Sequence, residues 1–162
     1  MSDRSRTYSW EDPFALRDAM VDRSGLELMQ LMASEKIPPP PIARTLGFRL
    51  VEAERAHALF ECEPAEFHYN PIGTVHAGLA MTLMDSAMGL AFVTTLDEPV
   101  AWTTLEVKAN FTRPMTVDTG TVRCTGSVIH AGRRVATTDA RIEDTDGKLF
   151  AHATSTILVV GG

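Results

Sequence analysis

The chain has 162 residues, of which 44% are hydrophobic and 22% are charged, so it can build one domain with a real core but hardly two. Its net charge is −6, without a cluster of lysines or arginines, which removes the electrostatic basis for binding nucleic acid. The two cysteines, Cys62 and Cys124, lack the spacing of metal ligands, and the chain does not begin with a signal peptide. We therefore expect a protein of the reducing cytoplasm.

The first forty residues predict two short helices. Asp12 followed by Pro13 is typical of an N-cap with proline in the first helical position, and this helix should run to about Met20. Ser24 and Glu27 have the spacing of a capping box, in which each side chain bonds the backbone N–H of the other residue. A second helix should therefore begin here and end before the proline run that follows.

The chain from residue 42 onward predicts six strands and one long helix. Short apolar stretches separated by Gly, Asp and Pro turns are typical of antiparallel strands. The predicted strands are Phe48–Ala53, Ala56–Cys62, Ala101–Phe111, Thr119–His130, Arg133–Glu143 and Lys148–Val160. Gly126 is interpreted as a bulge in the fourth strand. We therefore predict an N-terminal helical extension over residues 1–41 and, over residues 42–162, an α+β domain in which a curved antiparallel sheet covers one helix.

The predicted helix from Ala77 to Val93 is apolar all round its wheel and carries a single charge, Asp85. In a soluble protein such a helix is buried on nearly every side, and the central aspartate disfavours insertion into a membrane. A carboxylate in this position is costly unless it is paired, hydrogen-bonded or facing a cleft. Asp85 is therefore the first candidate for a catalytic residue. The alternative is a structural aspartate that caps a loop or pairs with an arginine.

The start of this helix provides a second candidate. Backbone N–H groups near Ala77 and Gly78 lack partners within the helix and lie at the positive end of its dipole, so they could hold a carbonyl oxygen that becomes negative during acyl transfer. Asp85 lies eight residues further on, about 12 Å along the axis, which is too far to share one carbonyl with its own helix terminus. A second, antiparallel copy of the helix would bring the two features together. We therefore predict a homodimer or homotetramer with its sites at the subunit interface.

Two polar residues precede the helix. The Asn70 amide can bond a carbonyl or position a water molecule, and His76 can orient the loop or donate a hydrogen bond. Each also has an ordinary structural explanation, because asparagine before proline forms Asx turns and His76 can cap its helix. No H-E-x-x-H motif indicates a catalytic metal, no G-x-S-x-G indicates a serine hydrolase, and no G-x-G-x-x-G indicates a dinucleotide site.

The stretch from Asn70 to Gly78, NPIGTVHAG, followed by Leu83-Met84-Asp85, resembles the hotdog-fold thioesterases of the phenylacetate-pathway (PaaI-like) type. The resemblance continues through residues 103–114, TTLEVKANFTRP, and covers about residues 47–160. It implies a hotdog fold and the hydrolysis of an acyl- or aryl-acyl-CoA thioester to the free acid and CoA. It also implies that no metal or cofactor is needed, because coenzyme A is part of the substrate.

The same resemblance implies roles for individual residues. Asp85 would be the nucleophile or general base, Asn70 would assist, and the amide of Ala77 would polarise the carbonyl. A hydroxyl on the third strand that helps to place water would be Thr104, or Thr103 if the match slips by one residue. The predicted catalytic residues are Asp85, Asn70, His76, Ala77 and Thr104.

The chain departs from the family at one point, since the usual His-Gly-Gly triplet reads His76-Ala77-Gly78 here. The amide donor is kept, but alanine tolerates fewer backbone conformations than glycine. Gly78, Met81, Thr103 and Arg113 are the predicted substrate-binding residues. Met81 belongs to an adaptable apolar surface, and Arg113 could meet the phosphates of CoA, although strand-end arginines are usually just solvated.

Two other functions remain open on the sequence. A hotdog hydratase or dehydratase would need a histidine and a carboxylate as acid and base, which His76 and Asp85 could imitate. A non-catalytic acyl-CoA-binding protein would keep the pocket without the chemistry. The expected partners are the acyl-CoA substrate and further copies of the same chain, but neither nucleic acid nor a membrane.

Overall fold

The computed structural model describes residues 4–14, 19 and 22–160. Its helices are α1 (Gly25–Ala33), α2 (Pro41–Leu46) and α3 (Ala77–Val93). Its strands are β1 (Phe48–Glu54), β2 (His57–Cys62), β3 (Ala101–Phe111), β4 (Val122–Ala131), β5 (Val135–Asp144) and β6 (Leu149–Val160). Short 3-10 turns at Glu66–His68 and Val117–Thr119 precede α3 and β4. The helix predicted to begin at Asp12 lies mostly outside the described residues.

All six strands pair antiparallel in one sheet of order β1-β2-β4-β5-β6-β3. Helix α3 contacts every strand of this sheet, and its apolar side chains form the centre of the main core. The predicted hotdog arrangement, a sheet wrapped around one long helix, is therefore confirmed. The predicted bounds of α3 and β3 agree with the structure to the residue, whereas β4 begins three residues later than predicted because a 3-10 turn takes up its expected start.

Gly126 is not a bulge, so that prediction is wrong. It pairs in register with Ala140 on β5, and the register of β4 shifts further along, between Val128 and His130. A Cβ atom on Gly126 would lie 2.3 Å from the backbone carbon and oxygen of Ala87 in α3. Glycine is needed here because the backbones of the sheet and the helix touch at this point.

Helix α1 is packed into the same core as α3. Ser24 and Glu27 form the predicted capping box, with the Glu27 carboxylate accepting a hydrogen bond from the Ser24 N–H at 2.9 Å. The helix buries an apolar face of Leu28, Met29 and Met32. Its first residue, Gly25, donates to the Leu96 carbonyl at 2.9 Å, close to the end of α3. The helical extension is thus fastened to the end of the central helix.

Strand β3 forms one edge of the sheet and is eleven residues long. Two of its apolar side chains, Leu105 and Phe111, are 56% and 48% exposed. A long edge strand with exposed apolar side chains is a template for pairing with another chain. Across residues 4–14, 19 and 22–160, no helix is both long and apolar enough to cross a membrane.

Candidate active site

Asp85 and Thr104 meet where α3 lies against β3. Thr104 Oγ1 donates a hydrogen bond of 2.9 Å to Asp85 Oδ1, and both side chains are partly buried. Within the described part of the chain, the Asp85 oxygen that accepts a side-chain hydrogen bond is Oδ1. Among the same residues, no arginine, lysine or histidine forms an ion pair with Asp85. A partly buried carboxylate with one oxygen available can accept a proton or attack an electrophilic carbon.

Strand geometry distinguishes Thr104 from its neighbour Thr103. Successive side chains of a strand point to opposite faces, so Trp102 and Thr104 face α3 while Thr103 faces away and is exposed. The pairing of β3 with β6 has its irregularity just beyond this point, between Thr104 and Glu106. Thr103 does not reach Asp85, whereas Thr104 contacts it directly.

At the start of α3, one backbone donor is used and one is available. His76 is the N-cap, and its Nδ1 accepts a hydrogen bond from the Gly78 N–H at 2.9 Å. The N–H of Ala77, the first helical residue, has no hydrogen-bond partner within the described residues, and Ala77 is exposed. Of the two predicted amide donors, therefore, Ala77 can bind a carbonyl oxygen, while Gly78 is occupied by the histidine cap.

Asn70 organises the loop before the helix. Its side-chain oxygen accepts from the N–H groups of Ile72 (3.0 Å) and Thr74 (3.3 Å), and its Nδ2 donates to Thr74 Oγ1 at 2.9 Å. This is the Asx turn that the sequence offered as the structural alternative. One of the two Nδ2 hydrogens remains after these bonds, so Asn70 can still donate to a ligand.

Asn70, Ala77 and Arg113 line one cleft of about 290 Å³ between the start of α3 and the end of β3. Arg113 is exposed and donates through Nη1 to the Leu149 carbonyl, which holds its guanidinium at the cleft edge. Met81 is not among the residues that line this cleft. It is partly buried and packs against the main core. The structure thus brings three of the predicted residues together and leaves Met81 apart from them.

The sequence analysis did not identify His68 as a residue that supports the site. It is 6% exposed; its Nδ1 accepts from the Ala65 N–H at 3.0 Å, and its Nε2 lies 2.8 Å from the Leu46 carbonyl. These partners require the neutral ring with its hydrogen on Nε2. Burial lowers the pKa of His68, and the guanidinium of Arg6 lowers it further, against the opposing effect of the bond to Leu46.

His68 also fixes the approach to the helix, because its carbonyl accepts the N–H of His76 at 2.8 Å. A buried neutral imidazole therefore supports the loop that presents the first amides of α3. A clue in the sequence was the spacing of three residues between Ala65 and His68, which suits a local side-chain-to-backbone bond, but that spacing is common in loops.

Other chemistries find little support in the described residues. Cys62 and Cys124 are buried free thiols. Burial raises the pKa of Cys62 to about 11 and also raises that of Cys124, so neither forms a reactive thiolate readily. Among residues 4–14, 19 and 22–160, no three His, Cys, Asp or Glu side chains group as metal ligands.

Two parts of the predicted site are separated within one chain. The Ala77 amide lies at the first turn of α3, and Asp85 lies about 12 Å further along the same axis. His76 and Asp85 are nine residues apart, about 13 Å, and the Nδ1 of His76 is already bonded to Gly78. No histidine–carboxylate pair therefore forms between these two residues in a single chain.

The thioesterase superfamily profile matches residues 72–151 of this chain. A protein of Saccharolobus solfataricus that is provisionally named an esterase is 30% identical over 112 residues, which cover 69% of this chain and 78% of that protein. The 1,4-dihydroxy-2-naphthoyl-CoA hydrolase of Listeria monocytogenes is 25% identical over 118 residues, which cover 73% of this chain and 94% of that enzyme.

Solved structures show the same fold. The Escherichia coli PaaI protein from the phenylacetic acid degradation operon superposes with a TM-score of 0.74 at 21% identity, covering 86% of this chain and 98% of that one. A phenylacetic acid degradation-related protein of Ralstonia eutropha gives 0.71 at 26% identity, with 81% and 98% covered. A Streptococcus mutans protein bound to acetyl-CoA gives 0.64 at 27% identity, with 70% and 89% covered.

Proposed function

This chain belongs to the thioesterase superfamily and is a thioester hydrolase, and from that premise we propose that it cleaves an acyl- or aryl-acyl-CoA to the free acid and CoA. The proposal of a CoA substrate is supported by the Listeria relative, which is named as an acyl-CoA hydrolase, and by the Streptococcus mutans structure, which holds acetyl-CoA. The two buried free thiols agree with the cytoplasmic location expected from the sequence.

The observation that carries the proposal is the hydrogen bond of 2.9 Å from Thr104 to Asp85. It orients one carboxylate oxygen and leaves the other for chemistry. As a general base, Asp85 would take a proton from water while the oxygen of that water bonds the thioester carbon; the C–S bond then breaks and CoA leaves as its thiolate. As a nucleophile, Asp85 would bond the carbon itself, CoA thiolate would leave, and water would hydrolyse the resulting anhydride.

The developing negative charge on the thioester oxygen needs a donor, and the Ala77 N–H is suited to that role. Because Ala77 and Asp85 are about 12 Å apart in one chain, we propose that the Ala77 amide of one subunit acts with the Asp85 of another. Such a homodimer, alone or paired into a tetramer, would cover the edge strand β3, whose Leu105 and Phe111 side chains are exposed. The remaining Nδ2 hydrogen of Asn70 would bond the substrate or the attacking water in the adjacent cleft.

The proposed function is tested by a substrate panel on the purified protein. Release of CoA from butanoyl-, phenylacetyl- and longer acyl-CoA thioesters is measured beside hydration of an enoyl-CoA. We expect thioester hydrolysis that falls at least ~100-fold in kcat in Asp85→Asn, the lower end for a positioned general base. The control is Asp146→Asn, a matched change at an exposed turn carboxylate, which should retain full activity.

The other outcomes separate the alternatives. Hydration of the enoyl-CoA without thioester cleavage would replace the proposal with a hydratase. Binding of acyl-CoA without turnover would indicate a non-catalytic binding protein. Full hydrolytic activity in Asp85→Asn would remove Asp85 from the mechanism.

A further inference from the structure

A glycine in the middle of α3 makes room for a tryptophan of β3. A Cβ atom on Gly89 would stand 2.7 Å from Cη2 and 3.1 Å from Cζ3 of Trp102. Glycine lowers the stability of a helix relative to alanine, so its presence here reflects the space that the indole ring takes. The ring also packs edge-to-face on Phe92, with 6.0 Å between the ring centroids and 73° between the planes. Trp102 is therefore wedged against the central helix.

This contact lies next to the Asp85 site along the same interface. Gly89 is four residues after Asp85, one turn along the same helix face, and Trp102 is two residues before Thr104 on the same strand face. The Asp85–Thr104 hydrogen bond and the Gly89–Trp102 contact are successive pairs between α3 and β3, about 6 Å apart along the helix.

The interface changes in polarity as it passes Asp85. Toward the start of α3 lies the open cleft of about 290 Å³ between α3 and the end of β3, lined in part by the polar side chains of Asn70, Thr112 and Arg113. Toward the end of α3, Trp102 packs within an apolar cluster. The other members of this cluster are Phe92, Leu96, Val128, Ala136, Ile157 and Val159.

An acyl-CoA thioester has a matching polarity, with a polar, charged arm on the sulfur side of the reacting carbon and an apolar group on the other side. The acyl group gains free energy by leaving water, so it belongs at the apolar end, while the CoA arm belongs at the open, polar end. With the thioester carbon at Asp85, the acyl group points toward Trp102.

We propose that Trp102 is the specificity-determining residue, and that it limits the acyl group to roughly one helical turn, about 5.4 Å, beyond the thioester carbon. The substrates are then CoA thioesters of short-chain or single-ring carboxylic acids, and long-chain acyl-CoA is excluded by the indole ring. This inference rests on the proposed acyl-CoA hydrolysis and adds to it the substrate class.

The test compares kcat/KM for dodecanoyl-CoA with kcat/KM for butanoyl-CoA in wild type, Trp102→Ala and Trp102→Phe. Wild type should strongly prefer butanoyl-CoA. In Trp102→Ala the dodecanoyl-to-butanoyl ratio should rise at least ~10-fold, since even one methylene in a fitted pocket changes discrimination by about that factor. Trp102→Phe keeps an aromatic ring in the cluster and should fold even if the alanine variant does not, with a smaller rise in the ratio.

The matched control is Phe60→Leu, which truncates a buried aromatic ring on β2. Phe60 packs on Phe48 with 5.8 Å between ring centroids, and three strands of the sheet, β4, β5 and β6, lie between β2 and β3. The control should lose stability without changing the substrate ratio. Equal cleavage of both substrates by wild type, or an unchanged ratio in both Trp102 variants, would overturn the inference.

Binding of uncleavable thioethers keeps this result separate from the proposed function. Butyl-CoA and dodecyl-CoA thioethers are titrated into the same proteins by calorimetry. If wild type cleaves no acyl-CoA at all, the proposed function fails. The affinity of Trp102→Ala for the dodecyl thioether relative to the butyl thioether must nevertheless rise at least ~10-fold, with a smaller rise in Trp102→Phe. An unchanged relative affinity would again refute the size limit.

Discussion

Removal of the Thr104 hydroxyl tests whether its hydrogen bond to the Asp85 carboxylate serves catalysis. Thr104→Val keeps the branched shape of the side chain and removes the donor, whereas Thr104→Ser keeps the donor and removes only a methyl group. The serine variant is therefore the matched control for every measurement on the valine variant.

The size of the effect follows from the geometry. The bond is 2.9 Å long, its acceptor is a carboxylate, and both residues are partly buried. Hydrogen bonds to charged groups are worth about 1.5–3 kcal/mol, and each 1.36 kcal/mol corresponds to a tenfold change in rate. If the bond orients Asp85 in the transition state, Thr104→Val should lower kcat/KM by about 10- to 150-fold, and Thr104→Ser should lower it by only a few fold.

The assay is CoA release from the preferred acyl-CoA, combined with a thermal melt of each protein. Valine removes the same hydrogen bond from the folded protein, so the free energy of unfolding should fall by at most about 1.5–3 kcal/mol, less than the stability of a typical domain, and the variant should stay folded at the assay temperature. A double-mutant cycle gives the sharpest result: in an Asp85→Asn background, Thr104→Val should cost almost nothing further, because the carboxylate it orients is gone.

Three outcomes would refute this reasoning. Thr104→Val could prove as active as wild type, which would make the bond structural. The serine variant could lose as much activity as the valine variant, which would point to packing instead of hydrogen bonding. The losses from Thr104→Val and Asp85→Asn could add fully, which would mean that the two side chains act independently.

Four further predictions concern the helix start, the supporting loop, the core and the assembly. Ala77→Pro should lower kcat by about 10²–10³ because it removes the N–H that would bind the oxyanion, whereas Ala77→Gly should stay within a few fold of wild type. Proline is tolerated at the first helical position, so the far-UV circular dichroism of Ala77→Pro should match that of wild type. Burial lowers the pKa of His68 below its ordinary 6.5, so at mildly acidic pH the imidazole is protonated in the unfolded chain more readily than in the folded chain. Tm should therefore fall as the pH drops below about 6.5, and it should fall more steeply in wild type than in His68→Gln. Gly126→Ala should destabilise the fold by about 1–3 kcal/mol in denaturant unfolding, because its Cβ would meet the α3 backbone at 2.3 Å, and Ser127→Ala at the neighbouring position should be nearly neutral. Sedimentation should give a dimer or tetramer at micromolar protein, and a stable folded monomer with full activity would contradict the shared site.

Local chemistry determined most of the elements. The capping box at Ser24 and Glu27 formed as predicted because both of its hydrogen bonds lie within four residues. The apolar run between the His76 cap and Val93 specified α3, and turn residues specified the hairpins, because these signals act over a few neighbouring positions. The prediction that Thr104, or else Thr103, helps to place water came from the family resemblance, and the resemblance left the two residues open.

Packing between distant segments decided the rest. The register of β3 against α3 selected Thr104, since a shift of one residue turns every side chain of a strand to the other face. Gly126 was misinterpreted because the contact it permits is with Ala87, a residue about forty positions away and on another element. The buried ring of His68 is fixed by its hydrogen bond to the carbonyl of Leu46, and the indole ring of Trp102 fits against α3 because Gly89 has no side chain. Such contacts join groups far apart in the chain, so they depend on how the sheet closes around its helix, and no local pattern in the sequence records them.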